Sequence, residues 1–210
     1  MSRDQPASRR SQAERRAETR RALIAAGRAL FVEQSIRAVT TSAIVARANV
    51  TRGALYHHFP DGKDALFEAV FEEVETEIDA AVLASAQTAL RETGDETAAF
   101  LAGTARFLAE SARPETQRLL FTDGPAVLGW DRWYAIDARH GMAQIERGFE
   151  LLMTSAVIAS RPVAPLVHIW YGATLGAARF IATADDRDSA LREALDTLRH
   201  LLSGLRGQVR

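Results

Sequence analysis

The sequence predicts an all-α chain, and three observations predict it. Apolar residues recur at helical spacing nearly throughout, with no sustained alternation of the kind a half-buried strand requires. Hydroxyl-bearing residues stand where helices would begin, and Gly, Pro and Asn where they would turn. The 210 residues are 47% hydrophobic, which is enough for one large or two small domains with ample cores. With no cysteine, disulfides, Cys-bearing zinc sites and thiol chemistry are all excluded, and packing alone must hold the helices.

Each element follows from local signals. Ser11 and Glu14 have capping-box spacing, and Leu23, Ala26, Leu30 and Phe31 make one apolar face of a first helix ending near Gln34. Thr41 is placed to cap a second helix, Ser42 to Ala48, with Ile44, Val45 and Ala48 facing inward. Asn49 stands at the sharp turn, where a residue tolerant of positive φ is needed. Thr51 caps a third helix, Arg52 to Phe59, which Pro60, Asp61 and Gly62 stop. A long fourth helix carries Leu66, Val70, Val74 and Ile78 on one stripe, with Phe67 and Phe71 beside it, and fades by Arg91. Further helices are expected at Asp95 to Ala112, Pro114 to Thr122, about Gly129 to Ser160, Val163 to Thr183 and Arg187 to Leu205. Asp123, Gly124 and Pro125 read as a break. The apolar run Val163 to Ala184 contains His168 and Arg179, and reads as a buried helix rather than a membrane span. The basic, polar N-terminus has no apolar core of a secretory signal, so the expected location is cytoplasmic.

Charge is distributed unevenly. Met1 to Lys63 holds 12 Lys+Arg against 5 Asp+Glu, a net +7, whereas the remainder holds 14 against 22 and is net acidic. A basic end on an acidic body points to a polyanion as partner of the first third.

Residues 41 to 59, TSAIVARANVTRGALYHHF, have the pattern of two short helices joined by a tight turn, a helix-turn-helix. Ile44, Val50, Leu55 and Phe59 supply the apolar underside that fixes the interhelical angle. From about Ala17 to Val70 the chain resembles the DNA-binding domain of the TetR family of transcriptional repressors. Two departures are visible: Asn49 replaces the usual turn glycine, and Asp61-Gly62 lengthens the approach to Lys63 by one residue. The resemblance implies a three-helix DNA-binding domain over residues 1–63, joined to a larger ligand-binding and dimerisation domain over 64–210. It also implies that the third helix enters the major groove of double-stranded operator DNA.

Local chemistry then suggests roles. Arg52, in the first turn of the reading helix, can pair with guanine, while Gly53 and Ala54 allow close backbone approach. Tyr56 and His57 lie one turn on and can touch a base edge, a thymine methyl or a phosphate. Thr41, Thr51, His58 and Lys63 read as phosphate clamps, and Ser42 as a contact to base or phosphate. Adjacent His57 and His58 point about 100° apart and make a poor metal pair. No metal site or cofactor is expected. The arm from Arg9 to Arg21 reads as a phosphate-seeking tail.

In the acidic body, Phe107, Phe121, Trp130, Trp133, Tyr134, Phe149, Trp170 and Tyr171 gather in one stretch. They can line a pocket for an apolar or aromatic effector, with His140 or His168 as polar contact and the GWDRWY segment at its mouth. The alternative for each aromatic is ordinary core. Leu191, Leu195, Leu198, Leu202 and Leu205 repeat at spacings of four and three, a narrow seam suited to a homodimer. Gly172, Ala173, Gly176 and Ala177 lay a small-residue face along the preceding helix. No G-x-S-x-G elbow, Walker A sequence, dinucleotide fingerprint or H-E-x-x-H occurs, so catalysis is not expected. The competing functions are a ligand-released repressor, an activator or architectural DNA binder of the same fold, and a small helical enzyme.

Overall fold

The computed structural model describes residues 11–206. The elements are α1 (Gln12–Glu33), α2 (Thr41–Ala48), α3 (Arg52–His58), α4 (Lys63–Thr93), α5 (Glu96–Ser111), α6 (Pro114–Thr116), a π-helical segment (Gln117–Asp123), α7 (Gly124–Leu128), α8 (Trp130–Thr154), α9 (Val163–Thr183) and α10 (Arg187–Ser203). Among the described residues there is no strand. The chain forms two compact units, Met1–Val70 and Phe71–Arg210, and α4 supplies residues to both.

In the first unit the capping box forms as its spacing requires. Ser11 Oγ accepts from the Glu14 amide at 3.1 Å, and the Glu14 carboxylate accepts from the Ser11 amide at 2.7 Å. The core consists of Leu23, Ile24, Leu30 and Phe31 of α1, Ile44 of α2, Leu55 of α3, and Leu66, Phe67 and Val70 of α4, all buried, with Phe59 beneath the end of α3. Phe31 and Phe67 meet edge to face with centroids 5.5 Å apart. Asn49 closes α2 at φ 53°, ψ 46°, the left-handed conformation its side chain tolerates. The N-cap of α2, however, is Thr40, whose Oγ accepts from the Ala43 amide at 3.1 Å, so Thr41 is the first helical residue rather than the cap. Adjacent threonines compete for one capping role, and the one whose oxygen reaches the amide three residues on takes it.

The second unit departs from expectation in three places. The chain does not break at Asp123: the π-helical turn runs straight into α7, where Pro125 falls in the first turn and its missing N–H costs nothing. The interruption comes instead at Gly129, at φ 77°. Trp133 Nε1 donates to the Leu120 carbonyl at 2.7 Å, satisfying a group of that π-helical turn. Secondly, α8 ends at Thr154, well short of Ser160. Ala156 turns to φ 55°, and the amides of Ala156 and Val157 donate back to Met153 and Leu152 at 3.1 and 2.9 Å, closing the helix as glycine usually does.

Thirdly, the leucine stripe of α10 faces its own protomer. Leu198 and Leu202 are buried in a core with Leu108, Phe149, Leu152, Val167, Trp170, Ala178 and Ile181, and Leu191, Leu195 and Leu205 pack against it. The expected seam between protomers is therefore an intrachain core, because α10 has one strongly apolar face and α5 and α9 cover it. Helix α9 is likewise not fully buried. Its inner face carries Val167, Trp170, Tyr171, Thr174, Ala178 and Ile181, while Ile169 at 72% and Phe180 at 50% are exposed on the other side with Gly172 and Gly176. No helix among the described residues is long and apolar enough to cross a membrane.

Leu198→Ala removes a side chain only 3% exposed, and should destabilise the second unit by about 2–5 kcal/mol in urea unfolding followed by tryptophan fluorescence. Loss of self-association with unchanged stability would return Leu198 to an interface.

Candidate DNA interface and ligand cavity

Helix α3 exposes the residues the sequence singled out. Leu55 holds it to the core, and the opposite side presents Arg52, Gly53, Tyr56 and His57 to solvent, with Ala54 and His58 half-buried. Thr51 Oγ accepts from the Ala54 amide at 3.2 Å, which leaves this capped N-terminus projecting. The Arg52 guanidinium lies 5.7 Å from the centroid of the Tyr56 ring, a cation–π contact that stacks the two side chains on one face. Ser42 and Thr51 are exposed and Thr41 is half-buried. Arg15, Arg16, Arg20 and Arg21 are all exposed on α1, whereas Arg9 of the expected basic arm lies outside the described residues. Arg47 is committed to Glu33 at 2.7 Å, and that bond holds the Glu33 carboxyl below its ordinary value.

Two expected phosphate clamps are reassigned by their surroundings. Lys63 Nζ donates to the carbonyls of Ile36 and Val39 at 2.7 and 3.0 Å, so its ammonium ties the start of α4 to the turn between α1 and α2. That turn has carbonyls with no helical partner, and the single lysine of the chain reaches them. His58 has its pKa lowered by partial burial and then by the positive neighbours His57, Arg16 and Arg20, which keeps the ring neutral near pH 7. A neutral ring is a hydrogen-bonding group rather than a charge clamp.

The second unit encloses a cavity of about 270 Å³ among α4, α5, α8 and α9. Of the expected ligand residues, Phe107, Trp170 and Tyr171 line it. Phe121, Trp130, Trp133, Tyr134, His140 and Phe149 do not. Phe149 is core, Trp133 braces the π-helical segment, and Trp130, 64% exposed, stacks on Trp133 and Tyr134 outside it. Aromatic clustering in sequence reports proximity along the chain, whereas cavity lining depends on helix phase. His168 is exposed and lies away from the cavity.

The walls are largely apolar, with Ile78, Val82, Leu83, Phe100 and Ile145 among them. Into them project carboxyl groups that aromatic content did not reveal. Glu75 and Asp137 are each only 3% exposed and hydrogen-bond to one another. Tyr171 Oη donates to Asp137 Oδ2. Burial raises both carboxyl pKa values, Glu75 well above the ordinary range, so the pair holds a proton at neutral pH. Burial and then Asp137 also raise the Tyr171 phenol. Asp79, also on the wall, accepts from Gln144 Nε2 at 2.5 Å, and its Oδ2 lies 2.6 Å from His140 Nδ1. Burial acts to raise Glu72, but Arg139 at 2.6 Å and His140 at 3.3 Å outweigh it and hold that carboxyl low. A signal for the buried acids existed in the sequence: Glu75 lies four residues after Phe71 and three before Ile78, and Asp137 four after Trp133, each in phase with a buried stripe.

Comparison with known proteins agrees with both units. A family model described as bacterial regulatory proteins, tetR family, matches residues 23–70. A second, described as tetracyclin repressor-like, C-terminal domain, matches residues 97–205. The chain belongs to the TetR family. A TetR-family transcriptional regulator from Pectobacterium atrosepticum is 31% identical, with a TM-score of 0.78 over 96% of this chain and 100% of that one. RolR, solved in complex with resorcinol, shares the fold at 19% identity and a TM-score of 0.66, over 95% of this chain and 100% of that one. The HTH-type transcriptional repressor BepR of Brucella suis biovar 1 (strain 1330) is 42% identical over 62 residues, 30% of this chain and 29% of BepR. The chain thus matches under a third of that curated relative's length. As a TetR-family transcriptional regulator, it carries the helix-turn-helix on its first unit and the cavity entirely within its second.

Lys63→Ala leaves two carbonyls without their charged donor and should cost about 1–3 kcal/mol of stability in the absence of DNA. Chemical denaturation with no duplex present measures it. The buried acids set a pH dependence. A carboxyl whose pKa rises on folding contributes stability in acid that is lost as pH climbs from about 4 through the folded value. Glu75→Gln should therefore raise the urea midpoint more at pH 8 than at pH 5, and an equal shift at both would contradict the proton assignment.

Proposed function

We propose that this TetR-family regulator is a homodimeric repressor that binds palindromic operator DNA through α3 and is released when a small, largely apolar molecule occupies the cavity of the second unit. The single observation that carries the DNA reading is the exposed row Arg52, Gly53, Tyr56 and His57 on a helix whose other side is buried by Leu55. A helix anchored in this way presents base-reading side chains in a groove about 12 Å wide without unfolding its own domain. Repression is the activity printed for BepR, and its similarity to 62 residues of this chain supports that sign of regulation. An operator-binding repressor acts in the cytoplasm, and the cavity supplies the place for an effector.

Self-association is assigned to the outer face of α9, where Ile169, Gly172, Gly176 and Phe180 are exposed, with Leu201 exposed on the adjoining α10. Glycines there let a second helix approach closely, and the isolated large apolar side chains gain burial from it. Phe180→Glu should yield a monomer of unchanged helix content by light scattering and circular dichroism.

The DNA reading is tested by selecting bound duplexes from a random pool and comparing them with scrambled sequences. Arg52→Ala should cost about 1–3 kcal/mol and relax preference at one base pair per half-site. Uniform weakening on all sequences would make Arg52 a phosphate contact. Equal affinity of the parent protein for selected and scrambled duplexes at physiological salt would exclude sequence-specific binding.

A further inference from the structure

The cavity carries more than apolar lining. Its titratable lining groups are Glu75 and Asp79 from α4, Glu96 from α5, Asp137 and Arg147 from α8, and Tyr171 from α9. Four carboxyl groups thus face a single guanidinium. Asp79 has His140 and Gln144 as partners, and Glu96 accepts from Ser155 at 3.1 Å. Glu72 and Arg139 stand beside them as an ion pair. Glu75 differs from the others: it is 3% exposed and its Oε1 has no hydrogen-bond partner. Burying a carboxylate oxygen without a partner is costly, and native structures keep such atoms where something else completes them.

We propose that the cavity selects a lipophilic cation, an aryl or alkyl amine whose protonated nitrogen sits against Glu75 and Asp137 while its apolar body lies between Phe100, Phe107 and Trp170. The inference rests on the cavity being the effector site only as far as regulation is concerned; the ligand class stands on the cavity itself. A neutral donor would satisfy Glu75 Oε1 but leave the acid pair to share one proton. An ammonium group instead replaces that proton, which passes to solvent, so that both carboxylates become ionised against the bound charge. The ring faces of Phe100, Phe107 and Trp170 also attract a cation, a contribution no anionic ligand receives. Anions are disfavoured by the excess of carboxyl groups, with only Arg147 to meet them.

Gly148 sets the size limit. A Cβ there would lie 2.4 Å from the Phe100 ring, so α8 and the aromatic wall of α5 are in contact and the cavity cannot narrow further without moving that ring. The ligand is correspondingly small.

Isothermal titration of the full chain with 4-phenylbutylamine and with 4-phenylbutanol, without DNA, tests the class. The amine should bind about tenfold or more tightly than the alcohol. Repeating the titration at pH 7 in buffers of different ionisation enthalpy should show a net release of protons, up to roughly one per ligand. Glu75→Gln, confirmed folded by its thermal transition, should remove that preference and the proton release while leaving alcohol binding unchanged. Equal binding of the two probes, binding of neither, or an amine preference that survives Glu75→Gln would each overturn the proposal. Operator release is read separately by mobility shift. Amine binding that leaves DNA affinity unchanged sinks the effector reading but not the ligand class, and alcohol binding equal to the amine with release of DNA does the reverse.

Discussion

The architecture depends on the apolar stripe of α4, whose Leu66, Phe67 and Val70 fill the core of the first unit and whose Phe71, Val74 and Ile78 are buried in the second. Each such side chain contributes about 1.5–3 kcal/mol when removed from water, and no disulfide supplements them. A change of phase in this one helix, for instance a single inserted residue, would rotate the later half of the stripe by about 100° and expose it. The DNA-reading helix and the cavity therefore both depend on an uninterrupted α4.

Within that stripe, Glu75 occupies a position where an apolar residue would pack. A carboxyl there weakens the unit in exchange for a polar group held at a fixed place in an apolar wall. Asp137 and Tyr171 hold the other end of the arrangement, so three helices meet through a protonated acid pair and a phenol rather than through hydrocarbon alone. The second unit is consequently least apolar next to its cavity.

The first unit was legible residue by residue because its signals are local. A serine three residues before a glutamate, an asparagine at a left-handed turn, and a threonine before a short amphipathic helix each act within a few positions. The misplaced cap, Thr41 for Thr40, shows the limit of such signals: they fix an element and leave its edge uncertain by one. The second unit resisted reading because its decisive features are tertiary. Nothing in the periodicity of Leu191, Leu195, Leu198 and Leu202 says whether α9 or a second molecule covers them. Likewise, which aromatic faces a void and which faces a neighbour depends on the angle at which helices cross. The π-helical turn and the Ala156 cap were hidden for another reason, since neither has a residue type that demands it.

Lys63 has a practical consequence. It is the only lysine in a chain with no cysteine, and its amine is half-buried against two carbonyls. The surface thus offers almost no side-chain nucleophile to maleimides or succinimidyl esters. A single cysteine introduced at an exposed position such as Leu83 would be the only thiol in the molecule, and a fluorophore attached there would report on one site without any background mutagenesis. The same scarcity makes carbodiimide and arginine-directed reagents the natural choice for cross-linking or footprinting this protein.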